Sequence, residues 1–154
     1  MVDHDVLVSI EPAFGKYVTA DWLVAVVRLT LEMEKAGACQ VSIVITGDEQ
    51  MLQLNREYAG EDHATDVLSF SLREGEQFVA PDDTDRLGEV VVSYDTAKRQ
   101  AAAAGHDADE EVAHLLVHGV LHLLGYDHAV PEEEAKMRAR ERRVLGELGI
   151  EAHS

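Results

Sequence analysis

The chain has 154 residues, 46% of them apolar, enough for one ordinary hydrophobic core and too apolar for wholesale disorder. Thirty acidic residues stand against 13 basic ones, a net charge of -17, which lowers the expectation of a nucleic-acid partner because phosphate binding draws on clustered Lys and Arg. No run of about 18 apolar residues suggests a membrane span, the acidic start MVDHDVLV does not resemble a secretion signal, and one cysteine, Cys39, excludes an internal disulfide. A cytoplasmic protein of one domain, residues 1–154, is expected, with Cys39 as a small buried hydrophobe.

In chain order, VLVSIE (6–11) reads as a strand, short and rich in β-branched residues. Thr19 is placed to cap a helix running through DWLVAVVRLTLEMEKAG, with Gly37 closing it. VSIVIT (41–46) is a second strand, and DEQMLQLNREYAG (48–60) a helix with Met51, Leu54 and Tyr58 at helical spacing. VLSFSL (67–72) and LGEVVVS (87–93) are two further strands, joined by the polar loop EGEQFVAPDDTD. An alanine-rich helix from Asp95 to Ala104 ends at Gly105, and a helix from Asp109 carries a histidine cluster up to Gly125. Pro131 opens the last helix, with EEE near its positive end and Arg138, Arg140, Arg142 and Arg143 toward its negative end. The order βαββ and then helices predicts an α+β fold with one small mixed sheet. The acidic runs at 82–85, 107–111 and 132–134 fit solvated loops and helix starts, and a substrate groove feels its local field rather than the net charge.

Chemistry concentrates in VHGVLHLLGYDH (117–128). His118 and His122 project from one helical face, a turn apart, and two imidazoles so placed suit one metal ion. Gly125 lets the chain turn, so that His128 can return to the pair as a third ligand. Three histidines leave a fourth position open, the mark of a catalytic rather than a structural zinc site. His114 continues the stripe, but lies about 12 Å along the axis from His122, so it is expected to be packed or to support the pair. His4, His63, His106 and His153 are assigned to loops or tails without a ligand role.

The layout follows the protease pattern H-E-x-x-H-x-x-G-x-x-H except that Gly119 replaces the glutamate that takes the proton of the attacking water. That exchange shifts weight toward phosphodiester chemistry, since RNA carries its own 2′-hydroxyl. Asp127 is either a substitute base or, by the preferred reading, a turn residue or a partner of a histidine ring.

HGVLHLLGYDH (118–128) closely resembles the signature of the YbeY endoribonuclease family, and LNREYAGEDHATDVLSF (54–70) and LGEVVVS (87–93) resemble two further blocks of it. The resemblance implies a zincin-like α+β fold and a zinc-dependent, single-strand-directed endoribonuclease. It also implies work in small-subunit ribosomal RNA maturation and ribosome quality control, with the small subunit or its assembly factors as partners, no DNA, and one zinc ion on His118, His122 and His128. Ala59 stands where many members carry an arginine, and Arg56 offers charge three residues earlier; Ala64 and Ser71 replace two prolines of the block. Two alternatives stay open: a zinc peptidase or amidase with a base other than glutamate, and a non-catalytic, zinc-stabilised ribosome-assembly factor. Arg138 and Arg142, four apart, form a possible RNA patch, or serve the helix end and pair with Glu141 and Glu134.

Overall fold

A computed structural model describes residues 3–59, 65–72, 85–126 and 130–150. Its elements are β1 (His4–Ile10), α1 (Ala20–Met33), β2 (Cys39–Thr46), α2 (Asp48–Leu54), β3 (Val67–Ser71), β4 (Asp85–Ser93), α3 (Tyr94–Ala104), α4 (Ala108–Leu123) and α5 (Pro131–Glu147). The strands form one mixed sheet in the order β1-β2-β4-β3. β1, β2 and β4 are parallel, whereas β3 runs antiparallel to β4 at the sheet edge. The α+β expectation holds at this level.

Alternation along β2 explains the layering. Cys39, Val41, Ile43 and Ile45 are buried on one face, where they join Val90 and Val92 of β4 and the apolar sides of α1, α4 and α5. α4 is the central helix: Val112, Ala113, Leu115, Leu116, Val117, Val120, Leu121 and Leu123 are all buried, as expected of a helix enclosed on most sides. Between Glu111 and Leu123 the residues not fully buried are His114, His118 and His122. The stripe read from the sequence is therefore the one face of the helix body that the core leaves open.

Several boundaries depart from expectation. β1 starts at His4, so this histidine is neither loop nor tail: it is buried in the strand, its Nε2 3.0 Å from the carbonyl oxygen of Ala36. α1 does not run to Gly37. Lys35 takes a left-handed conformation, φ 54°, and the amides of Lys35 and Ala36 donate to the carbonyls of Glu32 and Leu31. This is the hydrogen-bond pattern of a glycine-terminated helix, made here by a lysine. Thr19 occupies the N-cap position of α1 with extended backbone but makes no side-chain capping bond. The helix expected over 48–60 is α-helical only to Leu54, after which Asn55–Ala59 widen into a π-helical turn. A short 3-10 turn at Pro12–Phe14 was not expected. No helix among the described residues is long and apolar enough to cross a membrane.

Candidate metal centre and its cleft

α4 positions the pair. Residues four apart on a helix share a face, and the Nε2 atoms of His118 and His122 lie 3.1 Å apart with their rings nearly perpendicular, at 79°. Two nitrogens each about 2.0–2.1 Å from one tetrahedral ion stand about 3.4 Å apart. The pair thus fits two ligand positions of a single ion. His128 and Asp127 lie outside the described residues, as do His63 and His153. Among the described residues no group of three or more His, Cys, Asp or Glu side chains forms a complete metal site.

Orientation of the pair comes from α5. Glu141, expected to pair with exposed arginines, is instead turned inward and is 6% exposed. One carboxylate oxygen accepts from Nδ1 of His118, and the other lies 3.5 Å from Nε2 of His114. A proton held on Nδ1 by this carboxylate leaves Nε2 of His118 unprotonated on the cleft side, the tautomer a metal ligand needs. Burial pushes the Glu141 carboxyl up, but the hydrogen bonds with His114 and His118 outweigh it and bring its pKa down to about 2. The bond with Glu141 raises the pKa of His114 above its ordinary value against the effect of burial.

Behind His114 the alternation continues. Glu111 lies 3.8 Å from Nδ1 of His114 through one oxygen and 3.1 Å from Nε2 of His106 through the other. His106, assigned to a loop, has a nearly buried side chain in the turn between α3 and α4. A line of acid and imidazole groups, His106, Glu111, His114, Glu141 and His118, therefore runs from that turn to the metal pair. The supporting role expected of His114 is its place in this line. Glu141 and Glu111 carried no sequence signal, because Glu141 is 23 residues from the histidine it holds and both read as ordinary helix-surface acids.

The pair opens on a cleft of about 630 Å³ between α4 and the edge strand, lined by Asp66, Val67, Leu68, Ser69, Ser71, His118, His122 and Tyr126 among others. Asp66 is anchored at its rim, accepting from its neighbour Val67 N at 2.8 Å and from Gln100 Nε2 at 3.3 Å. Gly125 has φ 107°, a backbone closed to most side chains, and turns the chain out of α4. Tyr126 then ties that turn to α1, its hydroxyl donating to Glu34 at 2.6 Å.

Gly119 faces the sheet rather than the cleft. A Cβ there would stand 2.6 Å from Cγ1 of Val90 and 3.1 Å from Oγ of Ser69. Ser69 also donates to the Gly119 carbonyl at 3.2 Å, so α4 rests directly on β3 and β4 at this point. The glycine is required by close packing, and a glutamate in its place has no room.

An α+β domain with a histidine pair converging over a cleft at a sheet edge places the chain in the class of candidate metal-binding α+β proteins. Comparison with known proteins narrows the class. The family Endoribonuclease YbeY matches residues 13–149. The Endoribonuclease YbeY of Roseiflexus castenholzii is 44% identical over 97% of this chain and 98% of its own length. The proteins of that name from Desulforamulus reducens and Pelotomaculum thermopropionicum are 46% and 49% identical over 82% and 72% of the chain. A Thermotoga maritima protein of known solution structure, 23% identical, shares the fold with a TM-score of 0.59 over 95% of this chain and 91% of its own. The chain belongs to the YbeY endoribonuclease family.

Proposed function

We propose that this protein is a zinc-dependent endoribonuclease that cuts single-stranded RNA during maturation of small-subunit ribosomal RNA and in ribosome quality control. The observation that carries the reading is the 3.1 Å convergence of His118 and His122 on the open face of α4, in a chain whose relatives bear the name endoribonuclease. His128 completes the ligand set, for one zinc ion per chain in a zincin-like domain spanning residues 1–154. A bound zinc ion supplies Lewis-acid stabilisation to the anionic oxygens of a phosphodiester. The protein groups orient and confine: Glu141 fixes the His118 ring, Ser69 and Gly119 seat α4 on the sheet, and the β3 edge forms the opposite wall. The substrate brings its own 2′-hydroxyl, which suits a site whose packing leaves no room for the glutamate of the peptidase pattern. A cytoplasmic location and contact with the small ribosomal subunit follow from this reading.

Cleavage of a single-stranded fragment of small-subunit ribosomal RNA by zinc-loaded protein tests it. The expected result is endonucleolytic products that disappear with chelation and in His118→Ala, while a peptide panel stays intact. Equal cleavage by His118→Ala, or zinc-dependent peptide hydrolysis with intact RNA, overturns it.

A further inference from the structure

Tyr58 is the most exposed of the large hydrophobic side chains among the described residues, at 68%, against 47–49% for Leu7, Tyr17, Leu72 and Val130. It stands edge-on to Phe70, centroids 5.4 Å apart at 67°, a contact that props the ring and leaves it open to solvent. Its backbone is equally unusual. Asn55–Ala59 form a π-helical turn, a rare conformation that recurs at functional sites. The turn is anchored by Asn55 and, just before it, Met51, both buried, and it presents Arg56, Glu57 and Tyr58 outward.

Location gives the exposure a meaning. Along β3, Ser69 points to α4, where it bonds Gly119, so by strand alternation Phe70 points to the opposite face of the sheet. β3 is the edge strand, and its residues Val67, Leu68, Ser69 and Ser71 line the cleft that holds His118 and His122. The Tyr58 ring, propped on Phe70, therefore stands against the strand that walls that cleft, on the face turned away from α4.

We infer that Tyr58 is a nucleobase-stacking subsite, on which a base of the single-stranded substrate outside the reacting nucleotides is seated. The inference rests on the RNA reading above and adds to it where the strand goes after the cleft. Single-stranded RNA offers unpaired bases with open π-faces, and aromatic rings on a protein surface take them without regard to sequence.

The test is equilibrium binding of a fluorescent 2′-O-methyl oligoadenylate, and of an abasic strand with the same phosphates, to the zinc-loaded full chain and its Y58A, Y58L, Y58F and Y58W variants. Y58A and Y58L should bind oligoadenylate about five-fold to a hundred-fold more weakly. Y58F should match the parent, and Y58W should match or exceed it. The abasic strand should bind all five proteins alike, with the same salt dependence. Oligoadenylate binding unchanged in Y58A overturns the stacking site, and so does a parallel loss of abasic binding, which would mean a damaged fold or a phosphate contact. Normal oligoadenylate binding with lost co-sedimentation on small ribosomal subunits would make Tyr58 a protein contact and overturn it as well. If the parent binds neither strand, the RNA reading itself falls and takes this subsite with it.

Discussion

The His118 ring is held at both ends: Glu141 takes its Nδ1, and its Nε2 meets that of His122 3.1 Å away over the cleft. Glutamine at 141 keeps the shape and loses the charge. Glu141→Gln should weaken zinc binding by about ten-fold to a hundred-fold, the usual effect of removing a carboxylate behind a ligand histidine. Competition against a chelating dye reads this directly, and unchanged affinity would reduce Glu141 to a clasp between α4 and α5. Gly119 teaches a different lesson at the same scale. From sequence it looked like the loss of a base and hence a sign of RNA chemistry. The structure gives it a steric cause, the 2.6 Å that would separate its Cβ from Val90. The absence of glutamate still disfavours the peptidase pattern, and close packing accounts for the glycine without reference to the substrate.

A cluster of side-chain hydrogen bonds joins the elements where α2 and α3 begin. The Asp48 carboxylate accepts from Ser93 and Thr96 hydroxyls at 2.7 and 2.6 Å and pairs with Arg99 at 2.7 Å, while the Asp48 amide donates to Asp95 at 3.0 Å. These bonds join the ends of β2 and β4, where Thr46 stands beside Ser93. Burial raises the Asp48 pKa, but hydrogen bonds from Thr96, Arg99 and Ser93 prevail and set it below its ordinary 3.8. A depressed carboxyl stabilises the fold above its unfolded pKa, and that contribution is lost as pH falls through the folded value. Asp48→Asn should therefore cost about 1–3 kcal/mol near neutral pH, with a deficit that shrinks below pH 3.8. Urea unfolding at pH 7 and at pH 3 measures both, and an equal deficit at the two would contradict the assignment. All four strands and the helices near their expected places were legible, because apolar periodicity reports burial. Their ends were less so. Lys35 closes α1 where glycine was expected, because its amide's bond to Glu32 and the Ala36 amide's bond to Leu31 offset the strain of a left-handed lysine. The π-helical turn at Asn55–Ala59 has no periodicity of its own in five residues.

For the whole molecule the question is how a chain of net charge -17 meets RNA. Of the two readings open for Arg138 and Arg142, an RNA patch or pairing along the helix, Arg138 follows the second, reaching Glu134 at 2.6 Å along α5. Lys136 and Arg140, the latter 3.8 Å from Glu34, line a second cavity of about 700 Å³ that shares Gly125 and Tyr126 with the histidine cleft. Reversing both charges should weaken RNA association and reduce its salt dependence by about two phosphate equivalents, whereas reversing Arg142 should change little. Equal effects from the two would mean that only net charge matters. The site itself was half legible. Its proposed ligands are close in sequence and carry a pattern, but Glu141, which orients His118, comes from α5, and Glu111, which supports His114 behind it, from the start of α4; tertiary packing alone brings them together. His128 is the proposed ligand taken from the pattern alone. Zinc content and RNA cleavage measured together in the parent and in His128→Ala test the account most directly. Loss of the bound zinc together with cleavage is predicted, and a variant that keeps one zinc per chain and full cleavage would contradict it.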